Sequence, residues 1–466
     1  GTALPVWAAI IGMVLLYLTV GYLLGGRLAD RHPNQAYLYR LTLWAGFFSG
    51  LIPFMASPIL TFATIGIRDV LANVFVGSLI GVILLLAVPT VLLGCVSPFA
   101  IRLQTRSVES SGNTAGALYA LSTVGSILGT FLPTLLLIPT IGTRNTFLFF
   151  SFALMLPSLV GLIVHDGRRA LRFGVLLLIV VALIIIFPRG IVRAAQGGEL
   201  VYETESAYNY IQVVQSGDNR YLMLNEGHAV HSIYNPNHLL TYGEWDYFAV
   251  APFFNRDFHP SELQRVAVIG LAAGTVPRQL STIYGPIVID GVEIDPAIAD
   301  VGRRFFHMDE VPNLNVIIQD GRYFMRTTTQ MYDLIGVDAY HQPYIPAQLT
   351  TVEFFQEAYD HLNERGVMLL NAGHTATDFR LLNALGTTMQ QVFPSVYVID
   401  IPYQEGWAVV NSLLVGTKQP THIDNFAANA RAATNELLKE IAAGSLVRVF
   451  AETGIVFTDR SEEHTS

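Results

Sequence analysis

The chain has 466 residues, of which 52% are hydrophobic and only 14% are charged, and its mean hydropathy is +0.45. So few charges exclude an ordinary soluble protein of this length and require a membrane portion. The net charge is −9 and Lys418 and Lys439 are the only lysines, which excludes a basic surface for nucleic acid. The single cysteine, Cys95, excludes disulfide frameworks and thiolate metal sites, and we expect no bound metal.

Six apolar runs separated by short polar loops fill the first part of the chain, at residues 4–25, 41–63, 74–97, 115–138, 146–164 and 171–187. At about 1.5 Å per residue, most of these runs are long enough to cross about 30 Å of hydrocarbon, and only the last is short. We therefore predict a transmembrane helical domain of about six spans over residues 1–190. Because the first run begins without Met and without a charged leader, we also expect that an upstream span is missing.

The predicted bundle contains one motif that suggests transport. Residues 21–31, GYLLGGRLADR, resemble the cytoplasmic loop motif of major-facilitator transporters. No ionisable residue stands in the middle of a predicted span, however, and this favours a structural bundle over a substrate pathway. Arginines in alternate loops favour one side as cytoplasmic, but with six spans the C-terminal part then emerges on the other side. The sequence leaves the side of the C-terminal part open.

Residues 199–240 alternate β-forming residues with Gly, Asp and Asn turns, and we predict a small antiparallel β unit there. An α/β Rossmann-like domain is predicted over residues 241–459. Four apolar strands, at residues 266–269, 287–292, 316–318 and 334–337, each end in glycine or an acidic residue. The first strand opens onto a turn that contains Gly270 and Gly274, as expected where a nucleoside-bearing ligand crosses the ends of parallel strands.

Carboxylates follow the other three strands. Glu293 stands about 20 residues beyond the glycines, where a carboxylate can accept both ribose hydroxyls. Asp320 with Gly321 follows the third strand, and Asp338 follows the fourth. Because the carboxyl ends of parallel strands lie at one edge of the sheet, we expect these positions to converge on one crevice.

The remaining predicted elements complete a mainly parallel sheet with an antiparallel edge. They are a helix at 351–365, a strand at 367–370, a helix at 378–392, a strand pair at 396–401 and 408–415, and a last amphipathic helix at 426–443. The ending RSEEHTS, residues 460–466, is identical to what a common sequencing-library adapter encodes, and we interpret it as a non-native tail.

Three motifs carry a resemblance to a known family. VEIDP at 292–296, QDGRYF at 319–324 and VDAYHQPYIPAQLTTVEFF at 337–355 resemble the spermidine synthase family, and the membrane-fused subgroup is the most similar. The resemblance covers roughly residues 199–459. It implies a membrane-anchored aminopropyltransferase of the bacterial inner membrane, acting on an amine or polyamine. Decarboxylated S-adenosylmethionine would be the donor substrate, no cofactor would be bound permanently, and a homodimer is the assembly to expect.

The resemblance also implies roles for the residues of the crevice. Asp338 would orient and deprotonate the acceptor amine, Glu293 would hold the ribose hydroxyls, and Asp320 would accept from the adenine amino group. The backbone would approach the donor at the three glycines, Gly270, Gly274 and Gly321. Acceptor-side candidates are His231, Tyr242, Glu244, Tyr340 and His341.

The sequence departs from the family pattern at His341. Soluble members carry a second Asp three positions after the catalytic one, and an imidazole there would bind a diamine such as putrescine poorly. Two other functions stay open at this stage. A methyltransferase that uses intact S-adenosylmethionine would need a partner for the donor carboxylate, for which Arg278 is the nearby candidate. A non-catalytic nucleoside-binding module attached to a transporter-like bundle is the other.

Overall fold

The computed structural model describes residues 4–64, 70–105, 111–187, 197–225, 230–340, 345–375, 377–402 and 410–460. The chain forms two compact units. The first consists of Gly1–Ala195 with Glu203–Ala207, and the second of Gln196–Tyr202 with Tyr208–Ser466. The predicted tail from residue 461 onward lies outside the described residues.

The first unit is helical. Its helices are α1 (Leu4–Arg31), α2 (Gln35–Thr64), α3 (Val70–Gly94), α4 (Val96–Gln104), α5 (Ser111–Leu132), α6 (Ile138–Asp166) and α7 (Gly174–Ile186). Among the described residues, four helical segments are long and apolar enough to cross a membrane, namely Val6–Arg31, Gln35–Leu60, Leu79–Gln104 and Ser111–Asp166. A shorter apolar helix follows at Ala170–Ile186.

Two of the predicted spans fall within one continuous segment. A π-helical turn at Pro133–Leu137 joins α5 to α6, so that the runs at 115–138 and 146–164 both belong to Ser111–Asp166. Inside α6, Gly142 has non-helical backbone, with φ of 78°. A glycine adopts such a conformation without a steric penalty, so the helical path changes direction here. The count of about six spans remains a prediction.

Small residues of the transporter-like motif bring helices close together. A Cβ atom at Gly21 would lie 2.4 Å from the carbonyl oxygen of Val91, and one at Gly25 would lie 2.5 Å from the Cα of Cys95. Only glycine allows α1 to pack this closely against the end of α3. The charged end of the motif is exposed, and Asp30 accepts a hydrogen bond from Arg102 over 3.2 Å.

We expect the full chain to remain in the membrane fraction after salt and alkaline washes and to be released only by detergent. Large apolar side chains of the helical unit are exposed, as shown by the exposed fractions of 68% for Leu121 and 71% for Ile185. Such surfaces are stable against lipid and unstable in water. Fractionation of cells that express the chain tests this. A chain that stays in solution without detergent would contradict the membrane assignment.

The second unit begins with the predicted β unit. Its strands are β1 (Glu199–Glu205), β2 (Tyr210–Ser216), β3 (Asn219–Leu224) and β4 (Val230–Tyr234), in that spatial order. The pairs β2–β3 and β3–β4 are antiparallel, which confirms the prediction. Ile211 and Leu222 are fully buried against Ile298 and Val301, and the β unit therefore shares a core with the α/β part.

The α/β part contains eight strands and seven helices in the described residues. They are β5 (Arg265–Ile269), α8 (Thr275–Tyr284), β6 (Val288–Glu293), α9 (Pro296–Phe305), β7 (Leu314–Ile318), α10 (Gly321–Thr327), β8 (Tyr332–Val337), α11 (Val352–Asp360), β9 (Leu362–His374), α12 (Arg380–Gln390), β10 (Ser395–Asp400), β11 (Val410–Thr417), α13 (Asp424–Ala432), α14 (Glu436–Gly444) and β12 (Leu446–Arg448). A 3₁₀ helix, Glu244–Phe254, precedes them.

The eight strands form one sheet in the order β12-β10-β11-β9-β8-β5-β6-β7. The five from β9 to β7 are parallel, and β11 is antiparallel to both β9 and β10. This order is that of a Rossmann-like, methyltransferase-type fold, as predicted. From β5 the chain continues to β6 and β7 on one side and then returns to β8 on the other. Ligands of open α/β sheets bind at such a reversal, beyond the carboxyl ends of the strands.

The structure corrects the predicted elements in four places. The helix predicted at 351–365 ends at Asp360, because Leu362 pairs with Tyr332 and begins β9. The helix predicted at 426–443 is two helices, because the side chain of Asn435 accepts from the backbone of Leu437 and caps α14. The edge strand β12 and the 3₁₀ helix were not predicted.

A cluster of charged side chains links the C-terminal segment to α10 through hydrogen bonds and ion pairs. The Arg322 side chain is 7% exposed and donates to Glu357 at 2.9 Å and to Asp459 at 2.7 Å. Thr351 also donates to Asp459, at 2.8 Å. These hydrogen bonds, from Arg322 first, hold the pKa of Asp459 below its usual range. The cluster therefore links three elements that are distant in sequence.

We expect Asp459→Asn to lower the free energy of unfolding at pH 7 by about 1 kcal/mol, because Arg322 loses one of its carboxylate partners at a partly exposed site. The pKa of Asp459 is lower in the folded chain than in the unfolded chain, where it is about 3.9. The ionised carboxylate therefore stabilises the fold above about pH 3.9, and this contribution is lost as the pH falls through the folded-state pKa. Calorimetry of the purified chain in detergent should show the wild type and variant converging on acidification. Equal unfolding midpoints at pH 7 would contradict this role.

Candidate active site

The glycine turn after β5 brings two strand ends into contact. Gly270 has φ of 87°, and its N–H donates to the carbonyl oxygen of Val292 at 2.9 Å. A Cβ atom at Gly270 would lie 2.3 Å from the carbonyl oxygen of Asp338. Glycine is therefore required twice, by the left-handed backbone and by the close approach of the segment after β8.

The turn continues to the start of α8. Gly274 has φ of 91° and Ala272 has φ of 48°, so that, with Gly270, three left-handed residues separate the strand from the helix. The N–H of Ala273 donates to the hydroxyl of Ser232 at 2.9 Å, which attaches β4 of the β unit to this turn. The β unit therefore lies beside the crevice.

Glu293 is the last residue of β6 and faces the same turn. Its two carboxylate oxygens accept from the N–H groups of Ala272 and Asp295, each at 3.0 Å. The residue is 7% exposed, and burial raises the pKa of Glu293 to about 7. Two backbone donors thus fix the carboxylate at the reversal point of the sheet, where a further donor such as a ribose hydroxyl can reach its remaining lone pairs.

Asp320 and Gly321 stand at the end of the neighbouring strand. Asp320 caps α10 by accepting from the N–H of Tyr323 at 2.9 Å. A Cβ atom at Gly321 would lie 2.4 Å from Cγ2 of Ile269, so glycine lets α10 begin against the end of β5. A cleft of about 680 Å³ opens beside Asp320 and extends to Arg322 and the C-terminal segment, without reaching Asp338.

Asp338 follows β8 and is held from two directions. One carboxylate oxygen accepts from the indole Nε1 of Trp245 at 3.0 Å, and the other accepts from Nδ2 of Asn371 at 2.7 Å. Its N–H donates to the carbonyl oxygen of Ile269 at 2.8 Å, beside the glycine turn. Burial raises the pKa of Asp338, and the two donors oppose this shift by stabilising the ionised form.

Two of the acceptor-side candidates lie with Asp338. Glu244 accepts a hydrogen bond from the side chain of Asn411, and burial together with the charge of Asp338 raises the pKa of Glu244 to about 7. The Tyr340 hydroxyl donates to the carbonyl oxygen of Asn371 at 3.1 Å and accepts from the N–H of Gly373 at 2.7 Å. Asp338, Glu244 and Tyr340 therefore form one group at the ends of β8 and β9.

The remaining acceptor-side candidates show no hydrogen bond to Asp338 in the described part of the chain, or lie outside it. Burial lowers the pKa of His231 to about 4, so its imidazole is neutral near pH 7. Tyr242 is 65% exposed, and its hydroxyl donates to Glu440 of α14 at 3.2 Å. His341 lies outside the described residues. Arg278, which the methyltransferase hypothesis assigns to the donor carboxylate, donates through one Nη atom to the carbonyl oxygen of Asn235 at 2.8 Å.

Sequence reasoning missed Trp245, Asn371 and Asn411. Asn371 carried a signal, because it is a polar residue within the apolar run VMLLNAG of a central strand, and it is 2% exposed. A buried side-chain amide is retained only where hydrogen bonds compensate its desolvation. Trp245 gave no comparable signal, since its contact with Asp338 spans 93 residues of sequence.

The fold and the site together define a Rossmann-like protein with a carboxylate-lined crevice at the sheet reversal, suited to a nucleoside-bearing ligand and a cationic partner. Residues 254–422 match the spermine/spermidine synthase domain family. Over these residues the chain is similar to the spermidine synthase-like family.

Curated aminopropyltransferases match part of the chain. The probable polyamine aminopropyl transferase of Bifidobacterium longum is 35% identical over 206 residues, which are 44% of this chain and 45% of the relative. The polyamine aminopropyltransferase of Vibrio vulnificus is 33% identical over 160 residues, which are 34% of this chain and 52% of the relative. The chain thus spans about half the length of these curated relatives.

Among solved structures, a probable spermidine synthase from Corynebacterium glutamicum aligns with a TM-score of 0.43 and 20% identity, covering 55% of this chain and 98% of that one. The spermidine synthase of Thermotoga maritima aligns with a TM-score of 0.43 and 20% identity, covering 55% and 84%.

Proposed function

We propose that the C-terminal part transfers an aminopropyl group from decarboxylated S-adenosylmethionine to an amine acceptor. The observation that carries this proposal is the Asp338 carboxylate, which Trp245 and Asn371 fix at the reversal point of the sheet. Glu293 lies at the end of β6, which β5 separates from β8, and Glu244 interacts electrostatically with Asp338. The match of residues 254–422 to the spermine/spermidine synthase domain family supports the same reaction.

The donor would occupy the crevice between the glycine turn and the acidic strand ends. Glu293 would accept from both ribose hydroxyls, and Asp320 would accept from the adenine amino group. Gly270, Gly274 and Gly321 would let the backbone approach the donor. The donor is a substrate that leaves as methylthioadenosine, so no permanently bound cofactor is needed.

The acceptor would bind as a cation next to Asp338. An alkylammonium has a pKa near 10.4 in water, so it must lose a proton before its nitrogen can attack the carbon beside the sulfonium. A partly buried carboxylate that is already oriented by two donors can position that nitrogen without reorganising during the reaction. The acidic surroundings favour an amine or polyamine over a neutral acceptor.

We propose further that the helical unit anchors the chain in the bacterial inner membrane. Its long apolar helices support insertion in a lipid bilayer. Because adenosyl substrates are supplied in the cytoplasm, we expect the C-terminal part to lie on the cytoplasmic side of the membrane. A homodimer is the assembly that we expect for the chain in detergent.

The test is amine-dependent release of methylthioadenosine by the purified full chain in detergent. We expect release with decarboxylated S-adenosylmethionine and a diamine or polyamine. Methyl transfer from intact S-adenosylmethionine would replace the proposal with a methyltransferase. Binding of methylthioadenosine without turnover of either donor would leave a non-catalytic nucleoside-binding module and would also overturn the proposal.

A further inference from the structure

We propose that Arg322 is a positioning residue for recognition of the adenine base, and that the C-terminal segment, residues 449–460, acts through it as one wall of the donor site. This inference rests on the proposed placement of the adenine amino group at Asp320. Arg322 acts through its neighbours, because it holds the sides of the cleft at the separation that lets Asp320 accept from the base.

The cleft of about 680 Å³ beside Asp320 lies between elements that are distant in sequence. One side is the start of α10, with Asp320 and Tyr323, and the other includes the 3₁₀ turn Ala347–Leu349. Asp459 of the C-terminal segment lines the same cleft. A base fits between these elements only while all three keep their relative positions.

The guanidinium of Arg322 joins these elements. Its Nη1 atom donates to the carbonyl oxygen of Gln348 at 2.8 Å and to Asp459 at 2.7 Å. Nε and Nη2 donate to the two carboxylate oxygens of Glu357 in α11, each at 2.9 Å. Nη2 also donates to the second oxygen of Asp459 at 2.8 Å. All three nitrogens are engaged, and a planar fork is needed to satisfy two carboxylates and a carbonyl together.

The same arginine sets the position of Asp320. Arg322 stands two residues after Asp320, in the first turn of α10, and is 5% exposed. Asp320 caps this helix through Oδ1, which accepts from the N–H of Tyr323 at 2.9 Å, so the direction of its carboxylate follows the first turn. The remaining lone pairs of the carboxylate can accept from a base. The contacts of Arg322 therefore fix where these lone pairs lie.

The C-terminal segment is held against α11 by its backbone as well. The N–H of Val352 donates to the carbonyl oxygen of Phe457 at 2.9 Å, and the N–H of Asp459 donates to Glu353 at 3.0 Å. These contacts place Asp459 at the start of α11, where its carboxylate meets Arg322. Displacement of the segment therefore releases one side of the Arg322 fork.

The identity of the base reports on this arrangement. Methylthioadenosine carries an amino group that can donate to Asp320, whereas methylthioinosine carries a carbonyl oxygen at that position and would place two acceptors against each other. We expect the wild type to bind methylthioadenosine about 10²-fold more tightly than methylthioinosine. This preference depends on the distance and direction of the Asp320 carboxylate. A change that only lowers stability leaves the preference of the folded protein unaltered.

The experiment measures the dissociation constants of both nucleosides by calorimetry, with the full chain in detergent. Arg322→Lys keeps the positive charge, but an ammonium cannot contact Glu357, Asp459 and Gln348 in the geometry of the fork. We expect this variant to lower the preference for methylthioadenosine about 10-fold. Asp459→Asn should lower the preference about 3-fold, because Arg322 keeps its contacts to Glu357 and Gln348.

The matched control is Arg265→Lys. Arg265 donates through two nitrogens to Asp290, at 3.2 and 3.1 Å, and stands at the start of β5, away from the carboxyl ends of the strands. The control therefore makes the same change in a multiple Arg–Asp contact of the same domain. We expect it to lower the unfolding midpoint and to leave the preference between the two nucleosides at the wild-type value.

Each result decides the inference. A wild-type preference in Arg322→Lys overturns it, and an equal loss in Arg322→Lys and Arg265→Lys also does, since general loosening would then be the cause. If Arg322→Lys does not fold, an unchanged preference in Asp459→Asn overturns it. A wild type that binds both nucleosides equally overturns it too, because Asp320 then does not read the base. A wild type that binds no methylthioadenosine overturns the proposed function itself, which is a distinct result.

Discussion

We expect replacement of Asp338 by Asn to lower turnover by about 10² to 10⁴ and to leave methylthioadenosine affinity nearly unchanged. The substitution keeps the shape of the side chain and removes the charge that orients the ammonium. Both side chains that contact Asp338 can still form hydrogen bonds with the introduced amide. The oxygen of the introduced amide can still accept from Trp245, and the Asn371 amide can turn so that its Oδ1 accepts from the introduced amide nitrogen.

The matched control for this substitution is Asp333→Asn on the same strand. Asp333 accepts from the N–H groups of Gln264 and Arg265 at 2.8 and 2.9 Å, and this carboxylate holds the start of β5. We expect Asp333→Asn to lower the unfolding midpoint while folded protein turns over at the wild-type rate. If Asp338→Asn behaves like Asp333→Asn, with stability, binding and activity declining together, Asp338 is structural and the proposed chemistry fails.

Glu293→Ala should weaken binding of methylthioadenosine by about 10² to 10⁴, because charge-assisted hydrogen bonds to two ribose hydroxyls contribute about 1.5 to 3 kcal/mol each. The N–H groups of Ala272 and Asp295 lose their acceptor at the same time, and the turn loosens. Because the pKa of Glu293 is raised to about 7, affinity in the wild type should increase as the pH rises through that value and the carboxylate ionises.

Isothermal titration calorimetry of the full chain in detergent measures this effect. Glu293→Gln keeps one oxygen acceptor and should lose less affinity than Glu293→Ala. Asp309→Ala removes an exposed carboxylate that pairs with Arg303 and should leave binding unchanged. Equal dissociation constants for wild type and Glu293→Ala would place the ribose elsewhere.

The sequence by itself determined the order of the chain and the edge of the sheet that carries the site. Apolar runs long enough to cross a bilayer predict a membrane portion, and strands that end in Gly270, Glu293, Asp320 and Asp338 predict a common crevice. These conclusions follow from local patterns, because the period and length of an apolar run fix an element and the parallel direction of the strands places their ends together. The four strands were found within two residues of their predicted starts and ends.

Only the tertiary structure decided which side chains meet Asp338. Trp245 and Asn371 reach it from a 3₁₀ helix and from β9, and Glu244 comes with the same helix, 94 residues earlier in the chain. The same holds for the early end of α11, where pairing of β9 with β8 prevails over a continuous helical pattern. Contacts between elements distant in sequence depend on packing of the whole sheet, and no local pattern encodes the direction of a side chain across that distance.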